Sequence, residues 1–130
     1  MADKAKYSKV LLIDDNTIDN FVNKKLLEMT GFATEVLVYE SAVAALEYLK
    51  KEKKDRLPDV IFLDIMMPVM DGFTFLDEFE KLGKDYERSK IIMLSTSESF
   101  QDLNRANKNK LVQKFLNKPL TESVISAIKV

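Results

Sequence analysis

Short apolar runs alternate along this chain with segments of helical period, and this pattern predicts five strands separated by helices. Each run has the length and composition of a strand that is buried on both faces of a sheet. The predicted strands are Lys9–Ile13, Glu35–Tyr39, Val60–Leu63, Ile91–Leu94 and Lys114–Leu116. Strands that alternate with helices need crossover connections, so we expect an α/β protein with a parallel sheet covered by helices on both sides.

The segments between these strands carry apolar residues three and four positions apart, the spacing of one helix face. In the first segment these residues are Ile18, Phe21, Val22, Leu26 and Met29. Gly31 is placed to end this first helix, Ser41 is a cap for the second, and Gly72 opens the third. A fourth helix is expected within Glu98–Asn109, and a fifth after its cap Thr121.

Length and composition indicate a single domain over residues 1–130, with residues 1–8 as a flexible N-terminal tail. Only 12 residues follow Lys118, far fewer than an output domain needs, so we expect none. The net charge of −1 provides no general attraction to nucleic acid or to an anionic membrane. The first apolar run, Val10–Ile13, is too short for a signal peptide or a membrane span, which predicts a cytoplasmic protein without a membrane segment.

The chain contains neither cysteine nor histidine. Disulfides, Ser-His and Cys-His nucleophile systems and the usual zinc ligands are therefore excluded. Any chemistry falls to Asp, Glu, Ser, Thr, Lys and Tyr.

Polar side chains follow four of the five predicted strands, at the edge where an open parallel sheet binds its ligands. They are Asp14, Asp15, Asp64, Ser95, Thr96, Ser97 and Lys118. If the first and third strands are neighbours, the three aspartates converge. Two carboxylates about 4 Å apart repel by about 1 kcal/mol in bulk water and about 4 kcal/mol at an effective dielectric constant near 20. The site therefore needs positive charge, from Lys118 and from a hard divalent cation such as Mg²⁺.

Each of these residues also has a purely structural interpretation. Asp14 and Asp15 can cap the first helix, although Asn16 can do so as well. Asp64 can form a turn, but Asp71 before Gly72 suits that role better. The serines and threonine after the fourth strand can cap a helix, and Lys118 can be a solvated loop lysine.

Four motifs together resemble the receiver domain of two-component response regulators. They are LLIDDN after the first strand, FLDIMMPVMDG around the third, IIMLST at the fourth and FLNKP at the fifth. The resemblance runs from about Lys9 to the end of the chain. It implies a flavodoxin-like, doubly wound sheet of five parallel strands in the order 2-1-3-4-5, with five helices.

The resemblance also implies a function in phosphorelay signalling. Asp64 would be the phosphoacceptor for a sensor histidine kinase or a histidine phosphotransfer protein. Mg²⁺ would be held by Asp15, Asp64 and the backbone carbonyl of Met66, with Asp14 acting through water. Lys118 would pair with a phosphoryl oxygen. The protein would catalyse only its own phosphorylation and dephosphorylation and would not otherwise be an enzyme.

In this family the phosphorylated state switches a protein-binding face formed by the fourth helix, fifth strand and fifth helix. Ser95 would donate its hydroxyl to the phosphoryl group, and Phe115 occupies the switch aromatic position. Met66 and Ser97 occupy the positions that set the dephosphorylation rate. Since methionine orients an attacking water poorly, we hypothesise slow self-dephosphorylation.

The chain departs from the family pattern at three places. NKNKLVQKF replaces the frequent Gly-Ala before the fifth strand, Phe115 lacks the hydroxyl of the commoner tyrosine, and Thr96 replaces a small alanine. The fourth-helix face is basic, which suggests an acidic partner surface. Its cationic residues are Arg105, Lys108, Lys110 and Lys114.

Three alternative functions are open at this point. An aspartyl-phosphate phosphatase normally needs a second aspartate two residues after Asp64, where this chain has Met66. A nucleotide-binding or flavodoxin-like module needs a phosphate cradle after the first strand, where DDNTIDN would repel phosphate. The third is a receiver-like interaction scaffold that works without phosphorylation.

Overall fold

A computed structural model describes residues 5–96 and 100–130, and these residues form a five-stranded parallel sheet covered by helices. The strands are β1 (Tyr7–Ile13), β2 (Ala33–Tyr39), β3 (Val60–Asp64), β4 (Lys90–Ser95) and β5 (Val112–Asn117). Their order across the sheet is β2-β1-β3-β4-β5, and every neighbouring pair is parallel. The five predicted strands and the implied strand order are confirmed.

The strands extend beyond the apolar runs that predicted them. β1 begins two residues earlier than expected, at Tyr7, whose N–H donates to the carbonyl of Phe32 at 2.9 Å. The expected tail over residues 1–8 is therefore wrong at its inner end, because Tyr7 and Ser8 belong to β1; residues 1–4 lie outside the described residues. Backbone hydrogen bonds extend a strand regardless of side-chain polarity, so the apolar pattern underestimates its length.

Four helices connect the strands and a fifth follows β5, which confirms the predicted alternation. They are α1 (Thr17–Met29), α2 (Ala42–Lys51), α3 (Gly72–Glu80), α4 (Phe100–Lys108) and α5 (Glu122–Ser126). Four of them begin after a side chain that accepts a backbone N–H three residues further on, as N-caps do. These N-caps are Asn16, Ser41, Asp71 and Thr121.

The side chains of the sheet alternate between two apolar layers. Leu11, Ile61 and Met93 belong to the layer that contains buried residues of α2, α3 and α4. Leu12 and Phe62 belong to the opposite layer, which contains buried residues of α1 and α5. Burial on both faces explains why the strand centres are almost continuously apolar.

Helix α1 is amphipathic, but most of its predicted apolar face points toward solvent. Ile18, Phe21, Val22 and Met29 are exposed, whereas Leu26 is partly buried against the layer of α1 and α5. The buried side of the helix carries Asn20, Asn23 and Leu27 instead. The amide of Asn20 donates to the backbone carbonyl of Asp14 at 2.7 Å, which ties the helix to the end of β1. The predicted helix spacing is therefore confirmed, while the usual inward orientation of an apolar helix face is reversed for four of its five residues.

Candidate functional site

The strand register brings the predicted site residues to one edge of the sheet. Ile13 pairs with Leu63, so Asp14 and Asp64 stand side by side at the ends of β1 and β3. Ser95, the last residue of β4, pairs with Asn117. The N–H of Lys118 donates to the carbonyl of Ser95 at 2.8 Å, which fixes the backbone of the lysine at this edge.

Three carboxylates converge there. Asp14, Asp15 and Asp64 each contribute an oxygen, and these oxygens lie within 4.8 Å of one another. Asp14 and Asp64 are buried, whereas Asp15 is exposed. A cluster of carboxylate oxygens with one side open to water suits a hard cation such as Mg²⁺, which keeps part of its hydration shell.

The side chain of Lys118 supplies positive charge inside this cluster. Its Nζ lies 2.5 Å from Oδ2 of Asp14, 3.2 Å from Oδ1 of Asp64 and 3.7 Å from Oδ2 of Asp19. The lysine side chain is only 8% exposed, which is rare for lysine and rules out a solvated loop position. The interpretation of Lys118 as a residue of the site is therefore supported by its contacts.

The crowding of charge shifts two pKa values. Burial, followed by the negative charge of Asp14, raises the pKa of Asp64 to about 6, against the opposing effect of Lys118. Burial lowers the pKa of Lys118, but the hydrogen bond to Asp14 and the charges of Asp64 and Asp14 outweigh it and raise that pKa above its usual value. The site thus holds a charged lysine beside a carboxylate whose charge is incompletely compensated.

The helix caps bear on the structural alternatives for the three aspartates. Asn16 caps α1 by accepting from the N–H of Asp19 at 2.9 Å, so the two aspartates are not needed for that role. Asp14 nevertheless accepts from the N–H of Asn16 at 3.0 Å and so also forms a turn. Asp71 caps α3, which leaves Asp64 without a capping role.

Comparisons with known proteins agree with this geometry. The sequence profile of the response regulator receiver domain matches residues 10–129. The chain belongs to this family. As a receiver domain, it has the acidic pocket in which the family binds Mg²⁺, and it belongs to two-component signalling, where receivers interact with histidine kinases or phosphotransfer proteins.

Solved and curated relatives support the assignment. A two-component response regulator from Cytophaga hutchinsonii is 31% identical with a TM-score of 0.87, over 95% of this chain and 93% of that one. The probable methanogenesis regulatory protein FilR2 of Methanothrix harundinacea is 30% identical over 86% of this chain and 72% of its own length. The sensor histidine kinase CheAY of Helicobacter pylori is 29% identical over 92% of this chain, which spans only 14% of that protein. Receiver domains thus occur within much longer proteins, and the expected single-domain organisation over residues 1–130 stays a prediction.

The loop after β3 shapes one wall of the receiver site. Gly72 lies so close to this loop that a Cβ atom would stand 2.5 Å from the backbone oxygen of Asp64. The side chains of Met66 and Val69 are exposed, and Val69 adopts a φ of 70°, which is unusual for a β-branched residue. The sequence motif indicated this loop, but not the close approach of Gly72.

The predicted switch residues lie on neighbouring strands. Ser95 is buried at the end of β4, and Phe115 of β5 is partly buried against the apolar layer of α2, α3 and α4. Thr96 is exposed at the rim of the site. Ser97, one of the two predicted dephosphorylation-rate positions, lies outside the described residues.

Two of the four cations of the basic face have partners on or beside α3. The guanidinium carbon of Arg105 lies 4.2 Å from the ring centre of Phe73, and Lys110 forms an ion pair of 3.2 Å with Glu80. These contacts hold α4 and the segment after it against α3. The basic face therefore has a structural role in addition to any role in binding.

One residue beside the site was missed from the sequence. Asp19 lies in the first turn of α1 and reaches Lys118, but its motif position carried no family role. The one sequence signal for a role of Asp19 was its place in the first turn of α1, the helix that begins at the edge of the site. Nothing in the sequence alone shows that Lys118 would reach it.

Within residues 5–96 and 100–130, no helix is both long and apolar enough to cross a membrane.

Proposed function

We propose that Asp64 accepts a phosphoryl group from a sensor histidine kinase or a histidine phosphotransfer protein, in the cytoplasm, and that this event switches the face formed by α4, β5 and α5. The observation that carries the proposal is the contact of Lys118 with Asp64 inside the cluster of three carboxylates. A buried lysine next to a partly compensated carboxylate provides both a nucleophile and a cation for the phosphoryl oxygens.

Each residue has a defined part in the transfer. An Asp64 oxygen attacks phosphorus while the bond from phosphorus to the donor imidazole nitrogen breaks, and the electron pair of that bond stays on the imidazole. Lys118 then keeps its contact with Asp14 and pairs with a phosphoryl oxygen. Ser95, buried at the end of β4, donates its hydroxyl to the same group.

The residues fit Mg²⁺, because their donors are oxygens and the open side at Asp15 leaves room for water. Asp15, Asp64 and the backbone carbonyl of Met66 would hold the ion, with Asp14 acting through water because its oxygens already accept from Lys118 and Asn16. When bound, the ion would supply positive charge that offsets the negative charge of the phosphoryl oxygens during transfer.

The switch follows from the added charge. A phosphoryl group adds about −1.5 to −2 charge, which attracts the hydroxyl of Ser95 and opens space for Phe115 to turn inward. Phe115 is held by packing rather than by a hydroxyl, so the signal is read through a change of shape. The partner of this face would be a protein, and Lys108 and Lys114 offer it positive charge.

Intact-mass spectrometry tests the proposal. The native protein is incubated with acetyl phosphate and Mg²⁺ beside Asp64→Asn. One added phosphoryl group on the native protein, absent from the variant and absent without Mg²⁺, supports the function. No addition under any condition contradicts it and favours the scaffold that works without phosphorylation.

A further inference from the structure

Asp19 places a fourth carboxylate at the mouth of the site. Its Oδ2 lies 3.7 Å from Nζ of Lys118, and its side chain is 41% exposed while that of Lys118 is 8% exposed. It lines a groove of about 340 Å³ together with Val22, Asn23, Thr96, Lys118 and Pro119. A molecule that approaches Lys118 through this groove therefore passes the Asp19 carboxylate.

Helix stability alone does not explain this position. An acidic residue in the first turn of a helix interacts favourably with the helix dipole wherever its side chain points. The cap of α1 is already provided by Asn16, whose side chain accepts from the N–H of Asp19. The approach to Lys118 thus gives Asp19 an electrostatic effect on the site that its helical role does not require.

The sign of that effect follows from the charges, and this step rests on the proposed function. With Mg²⁺ bound, the charges of Asp14, Asp15 and Asp64 are balanced by those of Lys118 and the ion. Asp19 then makes the site negative as a whole. It attracts a cation and repels an anion, by an amount that salt screens because the carboxylate is partly exposed.

We propose that Asp19 is a specificity-determining residue that disfavours small anionic phosphodonors such as acyl phosphates. A free acyl phosphate has no contact with which to offset the repulsion. A protein donor can offset it by docking on the surface around the site, where Ile18 and Phe21 are exposed on the same helix. Asp19 would thereby reserve Asp64 for protein donors and would also strengthen Mg²⁺ binding.

The test uses opposite effects on a cation and an anion. Asp19→Asn keeps the size of the side chain and removes its charge. At low ionic strength we expect its Mg²⁺ affinity, measured by NMR titration, to fall about two- to fivefold. At saturating Mg²⁺ we expect the half-saturating concentration of acetyl phosphate to fall by a similar factor. Both effects should shrink in 0.5 M salt, where the Debye length falls to about 4 Å.

Two further variants separate charge from structure. Asp19→Glu restores the charge and should behave like the native protein. Glu28→Gln removes one exposed charge from the far end of α1 and should change neither affinity. A structural disturbance in Asp19→Asn would weaken the binding of both ligands and would persist in high salt.

The outcomes are distinct. Unchanged Mg²⁺ affinity, or changes of the same sign for Mg²⁺ and acetyl phosphate, would overturn the role of Asp19. If neither the native protein nor Asp19→Asn took up a phosphoryl group from acetyl phosphate, the proposed function would fall and donor selection by Asp19 with it, whereas the Mg²⁺ titration would still measure the charge effect. Uptake by Asp19→Asn alone would support donor selection.

Discussion

The ammonium of Lys118 lies 3.2 Å from the carboxylate of Asp64, although β4 stands between their strands in the sheet. The same ammonium reaches Asp14 at the end of β1. One buried cation thus connects the carboxyl ends of β5, β3 and β1. It offsets the repulsion between carboxylates at the place where the phosphoryl group is proposed to bind.

Removing this cation should destabilise the protein strongly. Lys118→Met leaves two buried carboxylates without their cation, and breaking a buried pair in this way costs on the order of 3 kcal/mol. We expect a loss of that size in the free energy of unfolding, measured by urea denaturation at pH 7 with EDTA. The loss should shrink when Mg²⁺ is added, because the ion supplies replacement charge.

The matched control is Lys54→Met. Lys54 pairs with Asp85 at 2.8 Å, a shorter distance than that from Lys118 to Asp64, but both side chains are exposed. Exposed pairs contribute between 0 and about 1 kcal/mol. Equal losses for the two lysines would contradict the claim that burial gives Lys118 its importance.

The raised pKa of Asp64, about 6 in the folded protein, predicts how stability depends on pH. A carboxyl group with a raised folded pKa stabilises the fold at low pH, and that contribution is lost as pH rises through the folded value. Between about pH 4 and pH 6, the metal-free native protein should therefore lose stability relative to Asp64→Asn. The difference should level off near pH 7 at up to about 3 kcal/mol, since one pKa unit corresponds to about 1.36 kcal/mol.

Urea denaturation in EDTA from pH 4 to pH 8 measures this difference. Asp77→Asn, which removes an exposed carboxylate from α3, serves as the control and should leave the profile of the native protein unchanged. If the native protein instead lost stability relative to Asp64→Asn as pH fell, the fold would favour charged Asp64, contrary to the structure.

The strands and site edge could be predicted because burial on both faces leaves a clear sequence signal. A parallel sheet covered by helices requires apolar strand centres, so a polar residue that follows such a run marks the ligand-binding edge. Asp64 and Lys118 were found in this way. The strand ends were not, because backbone pairing extends a strand beyond its apolar run, as at Tyr7, whose N–H donates to the carbonyl of Phe32.

The orientation of α1 and the role of Asp19 could not be predicted for a different reason. Periodicity shows that a helix has an apolar face, but not whether that face packs on the sheet. In α1 the inward side takes Asn20, whose amide satisfies the carbonyl of Asp14. The contact of Asp19 with Lys118 joins two segments that are far apart in sequence. These segments meet only because the strand order of the sheet brings the ends of β1 and β5 to one edge.

The close approach of Gly72 predicts a local effect on the phosphoacceptor. In Gly72→Ala the new Cβ would stand 2.5 Å from the Asp64 carbonyl oxygen, so the backbone of the loop must move. We expect a loss of about 1 to 3 kcal/mol in unfolding free energy and a slower phosphorylation by acetyl phosphate. Gly31→Ala is the control: its φ of 73° should cost about 1 to 2 kcal/mol, but no atom obstructs it and phosphorylation should be unchanged.

The reversed orientation of α1 predicts unequal effects of two truncations on one helix. Phe21→Ala removes a large side chain that is 66% exposed, and it should change the unfolding free energy by less than about 1 kcal/mol. Leu27→Ala empties a fully buried position and should cost about 2 to 5 kcal/mol. Denaturant unfolding of both variants checks the orientation, and a larger loss for Phe21→Ala would contradict it.

The lifetime of the phosphorylated state should depend on the side chain of Met66. This side chain is 70% exposed beside the site, and a thioether orients an attacking water poorly. In Met66→Asn the amide can hold that water, so we expect phosphate release to accelerate roughly two- to tenfold, the equivalent of one hydrogen bond. The backbone carbonyl of Met66, which is proposed to bind Mg²⁺, is retained, and the exposed position keeps any loss of stability small.

The measurement is the decay of the phosphorylated mass after removal of acetyl phosphate. Val69→Asn is the control, at another exposed position of the same loop. Faster release from the native protein than from Met66→Asn would refute slow self-dephosphorylation through this residue.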